Sequence, residues 1–341
     1  MNSKQPNTSV VILNWNGAHW LKLFLPSLIE HTPQDLADLI VVDNASSDDS
    51  LAVLKNDFPS IKILKFDRNF GYAGGYNRAV EQLDYRYMVL LNSDVELTMG
   101  WLLPLIDRLK SDDAIVACQP KILDYKMKTH FEYAGASGGF IDYLGYPFCR
   151  GRIFDTQEED HLQYNDAKPV FWASGACLAI KKEAFVTVGG FDETFFAHME
   201  EIDLCWRFHR NRKLVYVEPA SVVYHAGGGT LSKISPQKTY LNFRNNLLLL
   251  YKNFPAGRAL KIIFFRLILD GVAGLKFIVD GHFMHALAIV KAHFHFYKMI
   301  SRYKPKTTRV KDSGFTEELI IYPKAVIWQY FVKKRKKYSD L

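Results

Sequence analysis

No stretch of about 18 uncharged apolar residues occurs in this chain, which argues against a membrane-spanning helix. The first residues form no apolar h-region, so no signal peptide is expected. Cysteine is scarce. Cys118, Cys149, Cys177 and Cys205 are scattered, with no C-x-x-C pair and no metal-finger spacing. That excludes a disulfide scaffold and fits reduced thiols in a cytoplasmic protein. The phosphate-loop ending G-K-[ST] is missing, and the first strand lacks the G-x-G-x-x-G fingerprint of nicotinamide-dependent enzymes. No internal repeat and no low-complexity segment appears, and the basic residues form no known nucleic-acid motif.

What is present is enough apolar residue, 48%, to build a real core. The net charge of +7 hides an asymmetry. Residues 231–341 carry 21 Lys+Arg and 6 Asp+Glu, or +15, leaving 22 and 30, or −8, for the rest. A mildly acidic body with a strongly basic tail implies an anionic partner for the tail.

The first 120 residues alternate strand and helix. Strands are expected at Ser9–Leu13, Leu39–Val42, Ile61–Phe66 and Tyr87–Leu91. Helices are expected over Trp20–Glu30, from Ser47-Asp48-Asp49 toward Asn56, over Tyr72–Leu83 and over 101–110. Such alternation predicts an α/β fold, a mostly parallel sheet flanked by helices. Residues 121–170 lose the alternation and read as long loops with small strands. Regular structure resumes with a strand at Ala176–Ile180, a helix from Lys182, a helix over about 200–211 and a strand from Leu214 toward His225. A body of residues 1–240 and a basic, amphipathic helical region of residues 241–341 are expected. Leu260–Met299 has helical apolar spacing, and Lys333-Lys334-Arg335-Lys336-Lys337 is a polybasic cluster.

Polar residues stand where strands end. Leu90-Leu91-Asn92-Ser93-Asp94 breaks an apolar run with an amide and a carboxylate, suited to a divalent cation gripping a phosphate. Asn14-Trp15-Asn16-Gly17 and Asp43-Asn44-Ala45-Ser46-Ser47-Asp48 end the first two strands. Asp43 reads as a ligand for a pyrimidine N–H or ribose hydroxyls, Asp48 as a helix cap. Asn69-Phe70-Gly71-Tyr72-Ala73-Gly74-Gly75-Tyr76-Asn77 is a glycine-rich strand-to-helix turn. Glu200-Glu201-Ile202-Asp203 gathers carboxylates at a helix start behind an aromatic stretch, where burial and like charge favour a general base. His225 ends a strand and precedes Gly227-Gly228-Gly229, a place for a metal ligand.

Taken in order, Val10–Asn16, Val41–Asp48, Asn69–Ala73, Leu91–Asp94, Glu200–Arg207 and Tyr224-His225 resemble the family 2 glycosyltransferases of GT-A fold, in their bacterial rhamnosyltransferase-like branch. The resemblance covers about residues 8–250. It implies a metal-dependent, inverting transfer of a rhamnose-like sugar from a dTDP- or UDP-sugar to a glycan or lipid-linked acceptor, in cell-surface polysaccharide synthesis. It implies that Asp43 reads the base, and that Leu13, Asn14, Asn16, Asn69, Gly71, Asn77, Asn92, Ser93 and Asp94 lie along the nucleotide. Asp94 and His225 would bind Mg²⁺ or Mn²⁺. Glu201 would be the base, with Asp203 sharing that role, while Trp172, Ser174, Gly175 and Glu200 would lie on the acceptor side. Two departures stand out: Asn92-Ser93-Asp94 holds one carboxylate, and the base is Glu201 where many relatives carry Asp. The reduced metal motif supports an alternative, an inactive scaffold acting through its tail. The tail itself reads as a peripheral anchor on the inner face of the cytoplasmic membrane, through an amphipathic stretch and a polybasic end. Otherwise it is a helical hairpin packed on the body or in a homodimer interface.

Overall fold

The computed structural model describes residues 6–227, 235–300 and 321–341. Its amino-terminal half alternates as the spacing predicts: β1 (Thr8–Asn14), α1 (Ala18–His31), β2 (Asp38–Asp43), α2 (Ser50–Asp57), β3 (Lys62–Lys65), α3 (Gly71–Gln82), β4 (Tyr87–Leu91), β5 (Val95–Leu97) and α4 (Leu102–Ser111). The chain continues through β6 (Ile115–Asp124), β7 (Gly139–Ile141), β8 (Pro147–Cys149), β9 (Arg152–Ile153), β10 (Thr156–Gln157), β11 (Lys168–Pro169), β12 (Cys177–Lys181), α5 (Lys182–Thr187), α6 (Glu200–Arg210) and β13 (Leu214–His225). Helices α7 (Pro236–Asn253), α8 (Ala256–Val279), α9 (Phe283–Ile300) and α10 (Val326–Phe331) complete it.

The main sheet runs β11-β13-β6-β12-β4-β1-β2-β3, with β5 paired to β13. Strands β3-β2-β1-β4 are parallel, as right-handed crossovers through helices require. β12 lies antiparallel between β4 and β6, so the whole sheet is mixed. Alternate residues of β1 serve opposite cores, Val11 toward α3, α6 and α7, Val10 and Ile12 toward α1, α2 and α4. A strand buried on both faces needs a continuous apolar run, which is why β1 and β4 are legible as strands.

Residues 139–157 form a second, four-stranded sheet, β10-β9-β8-β7. The carboxyl-terminal segment packs on it. Val326 and Tyr330 of α10, with Tyr338 and Leu341, cover Phe148 and Ile153. Asp142 fastens the segment by accepting the Val326 N–H at 2.8 Å. Among the described residues the basic region includes a three-helix layer and a strap on the small sheet. Helix α7 opens with a Ser235 cap and Pro236, and its Leu247–Leu250 belong to the same core cluster as Trp206.

Arg266 of α8 joins the helical layer to the small sheet. Its guanidinium lies 3.8 Å from the Tyr146 ring centre, donates to Asn246, and stands 3.5 Å from Asp270. Asn246 in turn donates to the Gly145 carbonyl at 3.0 Å. Both charges are buried, so removing one strands the other. Arg266→Ala is expected to lower unfolding free energy by about 3–5 kcal/mol in urea titration. A loss below about 1 kcal/mol would show that this junction does not hold the layers together.

Candidate active site

The parallel register places Asn14, Asp43 and the residues after Leu91 side by side at the carboxyl edge of β4-β1-β2. Ligands of open α/β sheets bind at this edge. Asn14 is buried. Its amide donates to Ser46 Oγ at 3.2 Å, and its Oδ1 has no partner. Gly17 allows this approach, because a Cβ there would lie 2.3 Å from Asn14 Oδ1. Asn16 has φ +52° and binds the loop after β2 through Ser47 N–H at 2.7 Å.

Asp43 is also buried. One carboxylate oxygen accepts Ser46 N–H at 3.2 Å and the other has no partner. A buried carboxylate oxygen left open asks for a donor from outside the chain. Asp48 is a cap, as expected, but for two helices: it accepts from Ala18 N–H and Ser50 N–H, both at 3.0 Å. Those hydrogen bonds outweigh the opposing effect of burial and hold its carboxyl below the usual range.

Asn44 organises the glycine-rich turn, a role its place beside Asp43 did not reveal. Its amide donates to Asn69 Oδ1 and the Gly71 carbonyl and accepts Phe70 N–H at 3.0 Å. Gly71 has φ +71°, and its missing Cβ makes room for the Phe196 ring. Leu13 sits under the same turn, packed on Gly75, with its N–H toward Tyr76 Oη at 3.4 Å.

Asp94 and His225 are brought together by β5, which starts one residue after Asp94 and pairs antiparallel with the end of β13. Asp94 Oδ1 lies 3.2 Å from His225 Nε2. On the other ring nitrogen, Glu132 Oε1 lies 3.4 Å away. Burial alone would depress the imidazole, but the carboxylates of Glu132 and Asp94 outweigh it and hold His225 at about 10. Two ligands of one small hard cation stand about 3 Å apart along an octahedral edge, so this pair fits a cation. Among the described residues no group of three or more His, Cys, Asp or Glu forms a complete cage. Magnesium-type sites of this kind take their remaining ligands from substrate phosphates and water. Gly228 and Gly229 lie outside the described residues.

Glu200 and Glu201 open α6 behind an unusual backbone. Phe196, His198 and Met199 have φ of +65°, +70° and +75°. The side-chain amide of Asn245, on α7, donates to the carbonyls of Phe195, Ala197 and His198 at 2.8–2.9 Å. Glu200 is buried, and each glutamate has one oxygen without a partner. Burial raises Glu201 to about 7, and burial with the neighbouring Glu201 charge pushes Glu200 well above the carboxylate range. Tyr72 joins the pair to the nucleotide side. Its hydroxyl donates to the Gly175 carbonyl at 2.8 Å, and burial followed by surrounding charges that include both glutamates raises its pKa.

Three expectations need correction. Asp203 is not a free base: its two oxygens are taken by Arg207 at 2.9 Å, Lys252 at 2.7 Å and Asn253 at 2.8 Å. Asn77 is not turned to a nucleotide, because its amide both donates to and accepts from the backbone of Phe191. Trp172 and Ser174 are buried, the indole N–H donating to the Phe140 carbonyl and the hydroxyl to the Ala134 carbonyl. Gly175 is at the site through Tyr72. Asn92 N–H donates to the Ala176 carbonyl at 3.0 Å, which ties the loop after β4 to the residue after Gly175. Glu132 and Asn245 escaped the sequence reading because neither stands in a recognisable pattern.

The model of glycosyl transferase family 2 matches residues 9–188. A similar protein is the N-acetylglucosaminyl-diphospho-decaprenol L-rhamnosyltransferase of Mycobacterium tuberculosis, 28% identical over 240 residues, covering 65% of this chain and 76% of that one. Among solved structures, GalNAc-T7 with UDP, GalNAc and Mn²⁺ aligns with TM-score 0.55 at 17% identity, over 72% of this chain and 47% of that one. The mannosyltransferase PcManGT of Pyrobaculum calidifontis, with GDP-Man and Mn²⁺, aligns with TM-score 0.53 at 13% identity, over 86% and 88%. These two likenesses establish the GT-A type of fold.

The glutamate pair gives a direct test. Carboxyl-labelled glutamate NMR is expected to show the Glu200–Glu201 pair titrating well above the range of exposed glutamates, with that behaviour altered in Glu201→Gln. A titration confined to the range of exposed glutamates would remove the case for a tuned base.

Proposed function

We propose, since the chain belongs to glycosyl transferase family 2, that it transfers a rhamnose-like sugar, with inversion, from a dTDP- or UDP-sugar to a hydroxyl of a glycan or lipid-linked acceptor. Cell-surface polysaccharide synthesis is the setting we infer. The observation that carries this reading is Glu201, a carboxylate with an open oxygen raised to about 7, together with Asp43, whose Oδ1 is also without a partner. A base serves best when its pKa lies near the working pH.

Each residue then has a task. Asp43 Oδ1 accepts the ring N–H of the pyrimidine. Asn14, Asn16 and the Asn69–Gly71 turn line the nucleotide. Glu201 takes the proton from the acceptor hydroxyl as the oxygen bonds to the anomeric carbon. The bond from that carbon to the diphosphate breaks, and its electron pair leaves on the diphosphate oxygen. Attack opposite the leaving group inverts the centre, the single-displacement geometry of inverting glycosidases. Asp94 and His225 would hold Mg²⁺ or Mn²⁺, which supplies positive charge to the departing diphosphate. The named rhamnosyltransferase relative acts on a diphospho-decaprenol substrate, which supports the sugar and acceptor classes proposed here.

A panel of UDP-, dTDP- and GDP-sugars, with Mg²⁺, Mn²⁺ or EDTA, tests the assignment. One uridine or thymidine sugar is expected to bind and turn over slowly. Glu201→Gln should keep donor binding and lose about 10²–10⁴-fold in transfer. Full transfer by that variant would refute the base, and no binding of any donor would favour the inactive scaffold.

We also propose that the helical layer seats the enzyme on an anionic bilayer, at the inner face of the cytoplasmic membrane. Among the described residues no helix is long and apolar enough to cross a membrane. Yet Leu260, Phe264, Phe265, Ile268, Val272 and Leu275 of α8 are exposed, with exposed Lys261 and Lys276 toward the ends of the same stripe. Phe283, Met284, Leu287, Val290 and Phe294 extend the apolar exposure on α9. Apolar surface on this scale marks an interaction site, and flanking lysines match acidic lipid headgroups. Co-sedimentation with vesicles containing anionic lipid is expected at low salt and is expected to fall in Phe264→Ser/Phe265→Ser. A concentration-dependent dimer without vesicle binding would assign the face to a second copy instead.

A further inference from the structure

We infer that Glu132 is the positioning residue for His225, holding the ring so that Nε2 faces Asp94. This rests on the reading that Asp94 and His225 bind a cation. The geometry is a row of three side chains. Asp94 faces one ring nitrogen at 3.2 Å and Glu132 the other at 3.4 Å, and all three are buried. A neutral imidazole has one donor and one acceptor nitrogen. Whichever nitrogen donates to a fixed acceptor leaves the other with its lone pair free. Nδ1 faces the Glu132 carboxylate across 3.4 Å without a regular hydrogen bond, so the attraction is electrostatic, and a ring that gives its Nε2 lone pair to a cation keeps its proton on Nδ1, toward Glu132.

Glu132 is itself held rigidly. Its N–H donates to the Ile122 carbonyl at 3.0 Å, and its second carboxylate oxygen accepts the Ala134 N–H. The next residue is fixed as well, because Arg152 donates to the Tyr133 carbonyl at 2.8 Å and stacks over the Tyr133 ring. The Arg152 guanidinium and the Glu132 carboxylate also attract one another. The ring stands between Glu132 and Asp94, so Glu132 acts on a cation at Asp94 through His225 and not as a third ligand. Carboxylates in this outer position orient metal-binding histidines generally, and their loss costs about 10–100-fold in metal affinity.

Two readouts on the full chain test this, with Mn²⁺ alone as the probe. Mn²⁺ affinity by electron paramagnetic resonance is expected to fall about 10–100-fold in Glu132→Ala and less in Glu132→Gln, whose amide oxygen can still accept. In metal-free protein with ¹⁵N-labelled histidine, the His225 Nδ1–H resonance, identified by its loss in His225→Gln, should shift or exchange away in Glu132→Ala. The nearly isosteric Gln variant guards against misfolding. An Nδ1–H resonance unmoved in Glu132→Ala overturns the inference, whether or not Mn²⁺ weakens. A wild-type protein that binds no Mn²⁺ overturns the cation assignment instead, and the resonance alone then decides the role of Glu132.

Discussion

The active-site carboxylates depend on a stretch of left-handed backbone that the chain cannot hold by local preference. Phe196, His198 and Met199 all have positive φ, and none is glycine. Each costs about 1–2 kcal/mol relative to an ordinary conformation. The compensation comes from elsewhere in the sequence, through the Asn245 amide on the Phe195, Ala197 and His198 carbonyls and through Arg244 on the Phe195 carbonyl. The turn these contacts enforce starts α6 at Glu200 and Glu201, whose charges act on Tyr72. Helix α7 thus holds the turn that places Glu200 and Glu201, although it lies beyond most of the strand–helix alternation.

The second constraint is charge. The site crowds Asp43, Asp94, Glu132, Glu200 and Glu201 into buried or half-buried positions. Each is accommodated differently. Asp94 and Glu132 share His225 between them. Asp43 keeps one backbone donor and an open oxygen. The glutamate pair lowers its own charge, because two adjacent carboxylates in a desolvated place do not both ionise easily. Asp203 shows the contrasting solution two residues after Glu201 in the same helix. With Arg207, Lys252 and Asn253 around it, both of its oxygens are engaged. Proximity in sequence made Asp203 and Glu201 look interchangeable, and counter-charges separate them.

How much was legible follows from the same logic. Strands buried on both faces announce themselves as apolar runs, so β1, β2 and β4 and their polar ends stood out, and with them Asn14, Asp43 and Asp94. Strand β6 did not, because Gln119, Lys121 and Asp124 interrupt its pattern while being buried through specific partners. Lys121, for example, meets Asp160 at 2.7 Å, a residue 39 positions away. Glu132 and Asn245 are invisible for the same reason: their meaning lies in contacts with His225 and Phe195 that no local pattern encodes. Asn77 was assigned to the nucleotide only through the family resemblance, whereas here its amide pins Phe191.

The strap on the small sheet shows why the basic region cannot be understood as an appendage. Tyr338 N–H donates to one Glu158 carboxylate oxygen and Tyr164 Oη donates to the other, both at 2.9 Å. The Glu158 carbonyl accepts Phe131 N–H at 2.9 Å, one residue before Glu132. The polybasic Lys333–Lys337 run therefore leads directly into residues that brace the segment holding His225. A contiguous path of contacts is not by itself energetic coupling. It does fix geometry: the exposed lysines and the His225-bearing edge are referenced to one rigid loop system. Under the bilayer reading, a surface that fixes the strap also fixes the orientation of the small sheet, and with it the side from which a lipid-linked acceptor would approach Glu201.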